Sequence, residues 1–259
     1  MNFRSWLVCS VAITLVATAF IANPALAQSD DEPSGTAVQI TPYVWGPGFG
    51  GTIRPGTGAP NLKVDQGFGD LVKDIDAAFF FDALVKHDRL IGVVDLTHSS
   101  SSRDGLVPTG NPAAPAVAAE GSLRQTSLSA LAGYRAVDQT NLSLDLLTGG
   151  RAWWIHAKVS APSLALSTRA KVSFVDPVVA ARLHVKASPR WSFLVYGDIG
   201  GFGAASDITT QAMATANLRI ARHIWLSGGY RYQYVDYTSG NIRAKVALAG
   251  PLFGATFAF

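Results

Sequence analysis

The sequence predicts an all-β fold, an antiparallel up-and-down β-barrel that crosses a membrane with about ten strands (eight to twelve) and carries one short helical segment near residues 68–75. Three observations predict it. The chain is 48% hydrophobic and only 15% charged, yet past residue 27 polar or charged residues interrupt every apolar stretch. A spanning helix needs about 20 consecutive apolar residues, so the apolar content is not helical. Long stretches alternate apolar and polar with period two, the mark of strands with two different faces. Short polar turns also alternate with longer connections rich in Gly, Pro and Ser, which is the loop asymmetry of membrane barrels.

Residues 1–27 have the layout of a secretory signal peptide: Arg4, an apolar run Trp6–Phe20, and Ala25-Leu26-Ala27 before Gln28. Cys9 would leave with it, so the mature chain is expected to have no disulfide, Cys-based zinc site or thiol nucleophile. Residues 28–36 read as a polar leader and 37–259 as the barrel. Strands are expected near 37–47, 77–87, 90–103, 121–136, 141–159, 168–186, 190–204, 208–221, 224–238 and 241–259. The clearest is Ile208–Ile220, where Ile208, Thr210, Ala212, Ala214, Ala216, Leu218 and Ile220 share one face and Thr209, Gln211, Met213, Thr215, Asn217 and Arg219 the other. Short turns at 86–89, 137–140, 187–190 and 221–223 put both chain ends on one side. The connections 46–76, 104–120, 160–167, 204–207 and 238–240 lie on the other.

A soluble sandwich alternates too, but its inner face is large and apolar. Here one face carries charges in mid-strand: Asp82, Asp95, Arg135, Asp145, Arg151, Asp176, Arg182, Asp198, Arg219 and Arg231. Two sheets could not bury so many ionisable groups between them. Lipid outside and a polar lumen inside accommodate both faces. Trp45, Trp153, Trp154, Trp191, Trp225, Tyr134, Tyr237 and Phe259 fall near expected strand ends, where interfacial girdles form. In the last strand Ile242, Val246 and Leu248 are even-numbered whereas Phe253, Phe257 and Phe259 are odd-numbered. A bulge at Gly250-Pro251 is expected to keep all of them on the lipid face.

The chain resembles an uncharacterised, widespread family of proteobacterial outer-membrane β-barrel proteins, similar to small OmpA-like and porin-like barrels. The resemblance is carried by Thr41-Pro42-Tyr43-Val44-Trp45 with Gly50-Gly51-Thr52, by Phe68-Gly69-Asp70-Leu71-Val72, and by Ala132-Gly133-Tyr134-Arg135. Val175-Asp176-Pro177, Tyr196–Phe202, Gly228–Tyr232 and Gly250–Gly254 continue it over residues 38–259. The closing Phe253, Phe257 and Phe259 resemble the C-terminal signal read by the barrel assembly machinery. The resemblance implies a Gram-negative outer-membrane location, reached after secretion through the inner membrane, and a barrel fold. It supplies no substrate and no catalytic residue.

The ten inward charges sum to zero, which suits a paired network filling a narrow lumen; a selective ion pore would show a ring of one sign. Phe68, Asp70, Leu71, Val72 and Ile75 have helical spacing with Asp70 as a cap, and read as a lid or constriction at the barrel mouth. His98, followed by Ser99–Ser102, is the one pairing with an outer-membrane lipid hydrolase flavour, but no third member has diagnostic spacing. No HxH or HExxH spacing marks a metal site. Expected, then, is a small structural barrel or narrow passive channel without catalysis, metal or cofactor. A lipid-modifying enzyme and, more weakly, an adhesion protein are the alternatives. The expected partners are outer-membrane lipid and, during biogenesis, the assembly machinery; no nucleic-acid partner is expected and a monomer is favoured. The net charge of +3 forms no dense basic cluster of the nucleic-acid kind.

Overall fold

The computed structural model describes residues 35–54, 62–66, 75–111, 114–164, 166–240 and 242–259. The expected signal peptide and most of the leader therefore lie outside the described residues. So do Phe68, Asp70, Leu71 and Val72 of the expected lid, whereas Ile75 opens a strand rather than closing a helix.

Alternation resolves into β1 (Thr36–Trp45), β2 (Gly48–Arg54), β3 (Leu62–Gln66), β4 (Ile75–His87), β5 (Leu90–Asn111) and β6 (Ala114–Gln139). The chain continues through β7 (Leu142–Ala161), a 3-10 turn (Pro162–Leu164), β8 (Leu166–Lys186), β9 (Trp191–Gly200), β10 (Ile208–Ala221), β11 (Ile224–Ser239) and β12 (Ile242–Ala258). Each strand from β4 to β12 is antiparallel to the next, β4 pairs with β1, and β1 closes on β12 from Gln39↔Ala258 to Trp45↔Leu252. The result is a closed ten-stranded antiparallel barrel in which nothing is left as a bare edge at the seam. The expected strands 77–87, 141–159, 168–186, 208–221, 224–238 and 241–259 recur within a residue or two at nearly every end.

β1 and β2 run end to end along β12. β2 pairs with Arg243–Ala249 and folds back on β3, so part of the segment expected to be a loop at 46–76 is a hairpin. The break falls at Gly46-Pro47, where Gly46 N–H donates to Pro251 O at 3.0 Å. Gly250 lies beneath it, and a Cβ there would come within 1.9 Å of Gly46 O. Gly250→Val is therefore expected to lower the unfolding stability of the refolded barrel by about 1–3 kcal/mol through overpacking. The urea midpoint in detergent micelles reads it, and an unchanged midpoint would show that the junction can relax.

Three further expectations are corrected. Register runs unbroken through Tyr232↔Ala249, Arg231↔Gly250, Tyr230↔Pro251 and Gly229↔Leu252, so there is no bulge at Gly250-Pro251. Leu248 faces inward, packed against the buried Trp45, Phe80 and Leu252, because the lumen at this level is filled by side chains and rewards an apolar one. The segment 104–120 is not an outer loop: it belongs largely to β5 and β6, paired out to Asn111↔Ala114. The aromatic girdle keeps Tyr134, Trp154, Trp191 and Phe259, all exposed on the outer face. Trp45 and Trp153 are instead buried inside, Trp225 lines the lumen, and Tyr237 stacks on Phe174, itself stacked on Trp153.

The outer face shows why these strands suit a bilayer. Neighbouring residues form rows across β5–β8, from Leu90–Tyr134–Leu146–Ala181 up to Leu96–Leu128–Ala152–Val175, with His98–Thr126–Trp154–Ser173 next. Tyr134 and Thr126 are eight positions apart. At about 3.4 Å per residue and a tilt of about 40°, that is about 21 Å along the barrel axis, close to the roughly 25 Å apolar band of outer-membrane barrels.

Candidate functional site

Inside, the same alternation aims the charged mid-strand residues of β4 to β11 at the axis. Two buried arginines organise the middle of the lumen. Arg231 of β11 reaches Asp95 of β5, on the far wall, through Nη2–Oδ1 at 2.8 Å and Nη1–Oδ2 at 3.3 Å. Tyr43 of β1 sits between them: it accepts from Arg231 Nη1 and donates to Asp95 Oδ2 at 2.6 Å. The Trp45 ring faces the same guanidinium, with its centroid 4.9 Å from Cζ, a favourable cation–π distance.

Arg151 of β7 forms the second centre. It grips Asp198 of β9 in a bidentate fork (Nη2–Oδ2 2.5 Å, Nη1–Oδ1 3.2 Å), while its Nε donates to Ser129 Oγ at 2.8 Å. Tyr196 OH donates to the same carboxylate at 2.7 Å. Gln211 of β10 joins the two centres, its Oε1 accepting from Arg231 Nη2 at 2.9 Å and Arg151 Nη2 at 3.2 Å. Both arginine side chains are 1% exposed. Such charges are tolerable only because nearly every donor finds an acceptor; a half-satisfied network would cost more than an apolar core.

The remaining predicted residues fall elsewhere. Arg135 (Nε–Oδ1 2.8 Å) and Arg182 (Nη1–Oδ2 3.2 Å) converge on Asp145, which is fully buried. Asp176 is buried but makes no ion pair among the described residues. It accepts from Ser206 N (2.9 Å) and Ser206 Oγ (2.8 Å), which ties the 201–207 connection to the β8 wall. Gly201 and Gly203 take positive φ in that connection, so its glycines serve a tight turn. Asp82 lies directly opposite Asp95, two like charges across one strand pair, and forms no ion pair among the described residues. Arg219 forms no ion pair among the described residues; it donates to the carbonyls of Ala221 and Arg222 and lies over Trp225. Tyr43, Gln211, Ser129, Tyr196 and Ser206 were missed as members. Gln211, Ser129 and Tyr196 share strand parity with a charged residue, and Tyr43 shares the polar parity of Gln39 and Thr41; that parity was the available signal.

The network is the floor of a chamber of about 480 Å³ that opens at the short-turn end, past Lys186, Arg190, Arg219 and Arg222. On the other side of the network Trp45, Phe80, Trp153, Thr209 and Gln233 are buried and form no part of the chamber wall. His98 faces outward, its Nδ1 2.8 Å from Thr126 Oγ1. Among the described residues no group of His, Cys, Asp and Glu could hold a metal ion.

No protein-family profile and no curated protein sequence matches the chain. Among solved structures it is similar to the outer membrane protease OmpT from Escherichia coli, with TM-score 0.52 and 10% identity over 91% of this chain and 99% of that one. It also aligns with the translocator domain of the autotransporter NalP from Neisseria meningitidis (TM-score 0.42, 14% identity, 89% and 90% covered). A third alignment is with the attachment invasion locus protein Ail of Yersinia pestis (TM-score 0.37, 13% identity, 87% and 99% covered). At 10% identity the likeness to OmpT bears on the fold: this chain folds as outer-membrane β-barrels do.

Proposed function

We propose that the chain is an integral barrel of a Gram-negative outer membrane whose lumen is closed by its own side chains, with a chamber facing the periplasm. It is then a structural barrel rather than an open solute channel. The observation that carries the reading is the bridge from β11 to β5 and from β7 to β9, linked through Gln211 and backed by a buried aromatic layer. The Arg231–Asp95 pair ties β11 to the far wall, the Arg151–Asp198 pair fills the lumen beside β8, and together they leave no ring of one sign for an ion to follow.

The reading assigns no reaction to the chain. His98 supports this: it is engaged by Thr126, and Ser100, the nearest serine of the run sharing its strand face, lies opposite Arg124 rather than beside a carboxylate. Bilayer lipid and the assembly machinery are its proposed partners, the latter reading Phe253 and Phe257 on the exposed outer face of β12 and Phe259 just after it.

Planar-bilayer recording of the refolded chain tests the closure. Refolded protein should insert, shown by a heat-modifiable band on gels, and give no stepwise conductance. Regular conductance steps from inserted wild-type protein would overturn the closed reading in favour of a narrow channel.

A further inference from the structure

The outer face of β6–β8 carries a feature that the closed lumen does not use. Above the Trp154 row, the next two rows are Ser100–Arg124–His156–Lys171 and Ser102–Ser122–Lys158–Arg169. Arg124, His156, Lys158, Arg169 and Lys171 are all exposed, and among the described residues none of them forms an ion pair. His156 stands directly opposite Lys171, and Lys158 directly opposite Arg169. Like charges facing each other across a strand pair destabilise the sheet, so the arrangement lacks a partner of opposite sign. The far wall is different: Lys245 of β12 is paired with Asp236 of β11 at 2.7 Å.

Height identifies the partner. The two rows stand two and four positions beyond the Trp154 row, about 7 and 14 Å further along the strands and about 5 and 10 Å further along the axis at the same tilt. Headgroups occupy roughly 5–8 Å on each side of the hydrocarbon core. On β7, where Trp154 marks the edge of the belt, His156 thus sits within the headgroup layer and Lys158 at its outer edge, with their row neighbours on β6 and β8 stepped a few ångströms to either side by the strand tilt. The patch is continuous with the lipid-facing belt below. Asp104 and Glu120, opposite one another in the following row, end it on the side away from the membrane.

We propose that this patch binds the phosphate groups of an outer-leaflet lipid, with Arg124, Lys158, Arg169 and Lys171 as the ligating cations and His156 between them. The guanidinium groups offer forked donors that match phosphate oxygens, and the lysines add point charges. The proposal rests on the membrane-barrel reading but not on a closed lumen.

The test is reconstitution of the full chain into nanodiscs of phosphatidylcholine doped with diphosphoryl lipid A, followed by detergent extraction and native mass spectrometry. Wild-type protein is expected to retain lipid A. The variant Arg124→Gln/Lys158→Gln/Arg169→Gln/Lys171→Gln is expected to lose about tenfold or more of that retention, since each Lys or Arg at an anionic lipid surface contributes several-fold. Restoring charge with Lys at all four positions should recover most of it. Equal retention by the neutral variant would overturn the proposal, as would displacement of lipid A by soluble dextran sulfate from outside the disc, which would mark a soluble-polyanion surface. A chain that fails to give a heat-modifiable, disc-inserted band would instead sink the membrane-barrel reading itself.

Discussion

Arg231→Ala is expected to cost the barrel about 3–5 kcal/mol, the loss typical of stripping one partner from a buried ion pair. The substitution leaves the Asp95 carboxylate facing Tyr43 and Asp82 with no ion-pair partner among the described residues, and it removes the group over which Trp45 packs. Gln211 keeps Arg151 as a donor, so the second centre should survive. The converse, Asp95→Ala, strands a guanidinium that is 1% exposed and should be comparably damaging. Replacing both with apolar residues of similar volume, Arg231→Met with Asp95→Leu, should cost far less, because exchanging a buried pair for well-packed apolar groups is often neutral. Equilibrium urea unfolding in detergent, followed by tryptophan fluorescence, measures all four chains. Equal midpoints for wild type and Arg231→Ala would mean that the pair is hydrated and contributes nothing.

Much of this architecture was legible in the sequence because a membrane barrel writes its geometry into parity. Ile208–Ile220 alternates with only Thr210 and Met213 out of pattern, and β10 spans Ile208–Ala221. Arg135, Asp145, Arg151, Arg182, Asp198 and Arg231 could be assigned to one side because a charge in mid-strand has nowhere else to go between lipid and lumen. What parity could not tell was which charge meets which. Arg231 finds Asp95 at a sequence separation of 136 residues, across the barrel and through a tyrosine. Asp176 looked equivalent to Asp198, yet it closes a connection through Ser206. Arg219 shares a face with Gln211 but lies nearer the short-turn end, where it binds carbonyls.

The misplaced apolar and aromatic residues share one physical origin. Apolar was equated with lipid, which fails wherever a narrow lumen is filled. Leu84, Ile91, Val93, Leu131, Leu147 and Val178 form a buried apolar cluster on the inner wall with Tyr196. Leu248, Leu252, Trp45 and Phe80 form another beside the network. Leu248 therefore needs no bulge to be accommodated, and Trp45 and Trp153 are more useful as fillers than as interfacial anchors. The extended β5–β6 hairpin was hidden for a different reason: the Ala- and Pro-rich stretch between Asp104 and Glu120 has weak strand propensity, and it is register with the well-patterned strands below that carries the pairing outward.

On the proposed closed lumen, two barriers lie in series, and the conduit conducts only when both are removed. Neutralising the network as whole pairs, with Asp95→Ser, Arg231→Ser, Arg151→Ser and Asp198→Ser together, leaves no orphaned charge. It should still leave the bilayer silent, because the buried Trp45 and Trp153 stand beyond it. Trp45→Ala with Trp153→Ala on the intact network should also stay silent, since the Arg231–Asp95 bridge, joined through Gln211 to the Arg151–Asp198 pair, still crosses the opening. Combining the six substitutions is expected to give regular conductance steps in planar bilayers, provided the heat-modifiable band shows that the barrel has folded. Each Trp→Ala change costs about 3–5 kcal/mol of packing, so recording belongs in a bilayer, where the surrounding lipid resists unfolding. Conductance from the four-serine chain alone would show that the charges are the whole seal. Conductance from the tryptophan pair alone would show that the ion pairs brace the walls without closing the space between them.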